Sequence, residues 1–302
     1  MKLIKLILAS LFLPFVVFAS SVAVTMDDPH AINAYGLSAK QINEKILSAL
    51  KKHSNLKAGL FVCGKRIDSD EAKALLSSWD NAGHTIGNHS FSHLYYNSPK
   101  VDFEQYKEDF LKGEQVIEKY SHFEKYFRFP YLKEGESKEK RDKMRALLKE
   151  KGYKNGYVTI DASDWYIDGK LTEKLRKNPD ADVKPYRDFY LKHIWDRANY
   201  YNNLSKKVLG REAKHTLLVH YNLLNALFLD DLLTMFEKKG WKLIDVAEAY
   251  KDPIHTEKPT VLPAGESIIW SIAKKNKKYS SGLRYPGEDW TYEKGEMEKL
   301  NL

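Results

Sequence analysis

The sequence predicts an α/β fold: a parallel sheet closed, or nearly closed, into a barrel of about seven strands, followed by an irregular C-terminal arm. Three observations predict it. Short β-rich apolar runs alternate with longer stretches whose apolar residues recur at helical spacing. No internal repeat interrupts this alternation. Carboxylates and imidazoles follow directly on several apolar runs, and barrel folds carry their reactive groups on those loops.

Residues 21–26, Ser-Val-Ala-Val-Thr-Met, form the first strand. Ser38 caps a helix over residues 39–53, in which Ile42, Ile46, Leu47 and Leu50 recur at helical spacing. A second strand spans residues 56–62 and a second amphipathic helix 68–82. Gly83 and His84 turn the chain into a third strand at 85–88. Helix is predicted over 101–120, extended chain over 126–129, helix over 138–151 and strand over 157–160. A polar loop then runs to Pro179, and a longer helix occupies about 186–209. Strand 216–219, helix 226–239 and strand 241–244 complete the alternation. These units assign 20–251 to the barrel. From Asp252 onward, Pro253, Pro259, Pro263, Gly265 and Gly282 break the chain around Trp270, Tyr279, Tyr285 and Trp290. That aromatic content argues against disorder, so 252–302 reads as an arm packed on the barrel.

Residues 1–19 are read apart from the rest. Lys2 and Lys5 precede an apolar run from Leu6 to Phe18, and Val17 and Ala19 stand at the −3 and −1 positions of a cleavage site. This is the pattern of a secretory signal peptide, and the alternative is an uncleaved N-terminal anchor. After cleavage no stable membrane insertion is expected, and the protein is placed as secreted or periplasmic. The single Cys63 excludes an internal disulfide. Composition is that of a folded globular chain, 43% apolar and 30% charged, which excludes a disordered one. A net charge of +8 admits nucleic acid, anionic lipid or an acidic cell-wall polymer as partner. No run of five like charges and no nucleic-acid-binding signature is present, so nucleic acid is not an expected partner.

The chemistry-bearing residues lie at the strand ends. The first strand ends in Thr25-Met26-Asp27-Asp28, and successive strand residues point to opposite sides, so the two carboxylates must take different roles. The third strand leads into His89-Ser90-Phe91-Ser92-His93. Ten His in 302 residues give an i, i+4 pair by chance in roughly one chain in three. Position strengthens the pair, because two imidazoles and one carboxylate make a zinc set with an open coordination position. Arg128-Phe129-Pro130-Tyr131, Asp161-Ala162-Ser163-Asp164-Trp165 and Leu217-Leu218-Val219-His220 end later strands. None of these is distinctive alone, since each reads equally well as an ordinary turn, loop or strand cap.

Jointly and in this order, the motifs Thr-x-Asp-Asp, His-Ser-x-x-His, Arg-x-Pro-Tyr, Asp-x-x-Asp-Trp and Leu-x-His resemble the polysaccharide deacetylase family, also called NodB-homology or carbohydrate esterase family 4. The likeness spans roughly residues 22–250. It implies a distorted (β/α) barrel and removal of N-acetyl groups from amino-sugar polymers with a divalent metal, most often zinc. By the same resemblance Asp28, His89 and His93 hold the metal, and Asp27 is the general base, kept ionised by Arg128. The backbone N–H of Tyr131 faces the oxyanion. His220 protonates the leaving amine, Asp164 orients it, and Trp165 and Leu218 form the wall beside the acetyl methyl. Asp27-Asp28-Pro29-His30 departs from the family's Asp-Asp-Gly-Pro, which leaves the role of His30 open.

The function expected is therefore a secreted, metal-dependent hydrolase of N-acetylated polysaccharide or oligosaccharide, peptidoglycan- or chitin-like. Two alternatives stand beside it: an O-acetyl esterase or non-sugar amidase on the same fold, and a non-catalytic carbohydrate-binding envelope protein.

Overall fold

The computed structural model describes residues 20–286 and 290–302, so the predicted signal peptide at 1–19 lies outside the described residues. Strand β1 (Ser21–Asp27) is followed by helix α1 (Ala39–Lys52), β2 (Gly59–Val62), α2 (Asp70–Asn81), β3 (Thr85–Asn88) and α3 (Phe103–Ile117). Next come β4 (Phe123–Phe127), β5 (Lys133–Gly135), α4 (Lys138–Glu150), β6 (Lys154–Asn155), α5 (Asp164–Lys177) and α6 (Lys184–Leu209). Strand β7 (Lys214–His220), α7 (Leu223–Lys238), β8 (Lys242–Leu243) and the short α8 (Val246–Ala249) lead into the C-terminal segment. That segment holds β9 (Ala264–Gly265), α9 (Ile268–Lys275), α10 (Lys277–Ser280) and α11 (Thr291–Lys299). No helix among the described residues is long and apolar enough to cross a membrane.

Each helix forms for a local reason. Ser38 and Gln41 make a reciprocal capping box at the start of α1. Ile42, Ile46, Ala49 and Leu50 then line its buried face at helical spacing. The six strands order as β6-β4-β3-β2-β1-β7, every pair parallel, and β8 joins the start of β1 beyond the end of β2. This is the curled parallel sheet that the alternation predicts. Its core is one large apolar cluster in which α1 packs against α7 and which includes the fully buried Trp79 of α2. A second cluster stacks Tyr96, Tyr106 and Phe129 against Phe110 and Phe127 at the β4 edge.

The strand expected at 157–160 is reduced to one bridge, Ile160 to Leu217. Its backbone groups are shared out instead. The Val158 carbonyl accepts from Ile268 N–H, and the Thr159 carbonyl accepts from the Ser267 hydroxyl at 2.8 Å. Regular pairing begins earlier, at Lys154–Asn155 on β4. Residues 154–160 therefore pass from the edge of the sheet beside β4 to the opposite edge strand, β7. The loop expected after this strand is also corrected, because most of it is helix α5. Ile167, Leu171 and Leu175 occupy its buried face at four-residue intervals. Polar residues around that narrow apolar stripe make the segment read as a loop in sequence.

The C-terminal segment packs against these elements through buried Ile254, Ile268, Ile269, Ala273 and Met297. Strand β9 pairs antiparallel with β5. Gly265 there has φ +126°, and a Cβ would sit 1.9 Å from the Leu132 carbonyl oxygen, so only glycine fits.

Candidate active site

Sheet register assembles the site. Asp27 at the end of β1 lies directly beside His220 at the end of β7. On the other side Asn88, which precedes His89, lies beside Phe127, which precedes Arg128. Parallel strands thus deliver four of the motifs to one edge, and the loop after residue 160 adds the fifth. The expected residues line one cavity of about 390 Å³: Asp27, Asp28, His89, His93, Tyr131, Trp165, Leu218 and His220. Leu132, Asp161, Ala162 and Trp290 complete it. Arg128 and Asp164 stand behind its wall, both fully buried.

Asp28, His89 and His93 bring one ligand atom each to within 4.8 Å of one another. His93 Nε2 is 3.4 Å from Asp28 Oδ2. The Nδ1–H of His89 donates to the Arg128 carbonyl at 2.8 Å, which leaves the Nε2 lone pair facing the cluster. Burial drives the His89 pKa down to about 3 and also lowers that of His93, so both rings are neutral as metal ligation requires. Asp28 Oδ1 is buried without a hydrogen bond among the described residues, with Arg66 Nε 3.3 Å away. Two neutral imidazoles and a carboxylate at this spacing fit a divalent cation such as zinc.

Asp27 sits on the other side of this cluster. Its Oδ1 accepts from Arg128 Nη1 at 2.5 Å, and Oδ2 is 3.6 Å from His89. Burial raises the Asp27 pKa, with the charges of Arg128 and His220 opposing the rise. Arg128 is itself held on every side. It donates to the Gly156 carbonyl, to Thr25 Oγ1 and to Tyr250 Oη, and its guanidinium lies 3.8 Å over the Phe61 ring. Opposite, His220 Nδ1 donates to Asp164 Oδ1 at 2.8 Å, and the His220 amide donates to Oδ2 at 2.8 Å. Asn225 adds a third donor to that carboxylate at 2.8 Å. Burial alone would depress His220, but Asp164 outweighs it and lifts the imidazole to about 9. The pocket therefore holds a carboxylate and a raised imidazole, each with its own buried partner, beside one cation-sized cluster.

The backbone is strained where these groups converge. Asp28, Ser90, His93, Tyr131 and Leu132 all have φ between 55° and 65°, half of the ten non-glycine residues with positive φ among the described residues. Each costs on the order of 1–3 kcal/mol and persists only when its surroundings enforce it. Tyr131 sets its ring edge against His93, centroids 4.6 Å apart. His30 turns away from the cluster, donating from Nδ1 to the Asp28 carbonyl and packing on Tyr221.

Three partners escape sequence reading. Arg66 follows the end of β2, where the apolar run gives way to Cys63 and Gly64 with no paired motif to flag it. Tyr250 and Asn225 stand far from the motifs they serve. Only their position as polar residues just beyond helical or strand segments could have drawn notice.

Comparison with known proteins bears on the family and the fold. Residues 18–156 match the sequence model of the polysaccharide deacetylase family, and the resemblance carried by the motifs holds. Over 113 residues the chain is 31% identical to a peptidoglycan-N-acetylglucosamine deacetylase of Bacillus cereus. The match takes in 37% of this chain and spans about a third of that relative, 36% of its length. Among solved structures, a mutant of the peptidoglycan deacetylase PdaC from Bacillus subtilis superposes with a TM-score of 0.51 at 21% identity. It covers 77% of this chain and 91% of that one. A carbohydrate esterase family 4 pseudoenzyme from Bacillus anthracis gives 0.51 at 18% identity, over 76% of this chain and 65% of its own. At such identities these likenesses establish the fold.

Proposed function

We propose that this protein is a metal-dependent N-deacetylase of amino-sugar polymers or oligomers, peptidoglycan- or chitin-like, working outside the cytoplasm. The observation that carries the reading is the cluster of Asp28, His89 and His93 flanked by two separately tuned pairs, Arg128–Asp27 and Asp164–His220. Asp28, His89 and His93 would hold the cation, zinc by the chemistry of the donor set. When bound, such an ion polarises an amide carbonyl and makes water acidic enough to attack near neutral pH.

The chain's own residues supply the proton transfers. Asp27 accepts a proton at the carboxylate oxygen not committed to Arg128. The ion pair keeps that carboxylate available despite its burial. His220 carries the proton that the departing amine needs, and Asp164 fixes its Nδ1–H so that Nε2 faces the pocket. Base and acid, each held by its own partner, Arg128 and Asp164, keep separate proton affinities, as hydrolysis of an amide requires. Trp165 and Leu218 offer an apolar wall for the acetyl methyl, and the strained turn at Tyr131 brings backbone close to the carbonyl oxygen.

Acetate release from chitooligosaccharides and from peptidoglycan tests the proposal, with O-acetylated sugars in parallel. Turnover of the N-acetyl substrates is expected, abolished by chelation and restored by zinc. Asp27→Asn should lower kcat by about 10²–10⁴-fold. Turnover indifferent to chelation and to Asp27→Asn overturns the mechanism, and turnover of O-acetyl sugars alone assigns the esterase activity instead. A protein with neither turnover nor stoichiometric metal is the non-catalytic binder.

A further inference from the structure

The cavity contains one carboxyl that the mechanism above does not use. Asp161 is 4% exposed, lines the cavity, and its Oδ2 has no hydrogen-bond partner among the described residues. A buried polar atom left without a partner costs on the order of 1–3 kcal/mol, more when charged, and natural structures rarely tolerate one. Asp161 does not sit in a remote corner where such a defect is harmless. It lines the same cavity as Trp165 and Leu218, three residues before Asp164. Trp165 and Trp290 line the same cavity and expose 36% and 37% of their surface. Trp290 comes from the C-terminal segment and stacks on Tyr166, centroids 5.3 Å apart and planes at 17°. An aromatic face beside a carboxyl with a spare acceptor is the complement of a pyranose ring, which presents C–H groups on its faces and hydroxyls around its edge.

We propose that Asp161 is a specificity-determining residue that accepts a hydrogen bond from a ring hydroxyl of the sugar, while Trp165 and Trp290 stack on the sugar face. The inference rests on the substrate class given above and deepens it, adding a sugar-recognition subsite to the reacting groups. Burial pushes the Asp161 carboxyl up to about 7, opposed by Arg197, reinforced by Glu266, and opposed again by Lys133 and His220. A carboxyl so placed is desolvated in advance, so a neutral hydroxyl donor gains the full value of the bond. The arrangement also selects, since a substrate lacking that hydroxyl leaves the oxygen unpaired.

The test uses the full chain, zinc-loaded, with tetra-N-acetylchitotetraose. Asp161→Ala should raise KM by roughly 10–100-fold with kcat within about threefold, and Asp161→Asn, which keeps an acceptor, should fall between. Thermal melting of Asp161→Ala should be unchanged or higher, because it removes a carboxyl oxygen that folding leaves unpaired. A merely structural Asp161 would lower the melting point and leave KM alone. Quenching of intrinsic tryptophan fluorescence by the tetramer reads binding independently of turnover. Unchanged KM and unchanged quenching in Asp161→Ala overturn the inference while the deacetylase reading stands. A wild type that binds but does not cleave overturns the deacetylase reading, and loss of quenching in Asp161→Ala still supports the subsite. A wild type that neither binds nor cleaves the tetramer overturns both.

Discussion

At the scale of single residues, the imidazole of His220 shows how one neighbour decides chemistry. Burial by itself would make it a weak base, yet Asp164, anchored by Asn225 and the His220 amide, lifts it to about 9. Because the folded value lies above the usual 6.5, the protonated ring stabilises the folded state below about 6.5, and that contribution is lost as pH rises through about 9. Turnover that uses the same proton should fall along the same alkaline limb. In Asp164→Asn the limb should move toward neutral pH and kcat should drop by about 10²–10⁴-fold, which a pH–rate profile reads directly. The residues themselves were legible: Asp27, Asp28, His89, His93, Arg128, Asp164 and His220 all meet in space as their strand-end positions suggest. Arg66 was not, because an arginine in a surface-facing turn looks the same whether it meets a carboxylate or water.

At the scale of elements, glycine placement shows which helices constrain the metal-ligand loop. Gly113 lies inside α3, where alanine would ordinarily gain about 1 kcal/mol. A Cβ there would meet Asn88 Oδ1 at 2.5 Å and the Ser90 carbonyl carbon at 2.7 Å. Those two atoms, one side-chain and one backbone, both belong to the segment that carries His89 and leads to His93, so the helix presses directly on it. Gly113→Ala should therefore destabilise the protein despite its better propensity. It should also weaken zinc binding, measured by calorimetric titration, while an exposed control such as Gly169→Ala should leave binding unchanged. Propensity and periodicity made the elements legible, as for α1 with its capping box and apolar face. They failed at α5 and at residues 157–160. In α5 a narrow apolar stripe among polar residues mimics a loop, and at 157–160 the hydrogen bonds are divided between β7 and the C-terminal segment.

At the scale of the whole molecule, the C-terminal segment is tied to the acid–base apparatus through a buried chain of contacts. Glu293 Oε1 of α11 lies 2.9 Å from Arg197 Nη2 and 3.2 Å from His193 Nδ1. His193 Nε2 accepts from the Ser163 amide at 3.0 Å, and Arg197 Nη2 donates to Ser163 Oγ at 3.1 Å. Ser163 caps the turn that presents Asp164. Glu293→Ala strands two buried partners and should cost about 3–5 kcal/mol, read by denaturant unfolding. Burial opposes ionisation of Glu293, but His193 and Arg197 hold its pKa near 2. That depressed value means its stabilisation is complete above about 4.5 and fades as pH falls toward 2, so Glu293→Gln should flatten the acid limb of the stability profile.

What the sequence by itself determined was local and serial: which stretches form strands and helices, and which reactive residues stand at the strand ends in which order. Those follow from side-chain period, caps and the two-residue alternation of a strand, all carried by near neighbours. Only the tertiary structure decided that Arg66 faces Asp28, that Trp290 reaches the cavity from the far end of the chain, and that Asp161 is left with an oxygen to give. Such pairings join residues dozens to hundreds of positions apart, and sheet curl and helix packing choose them after the local pattern has already been satisfied.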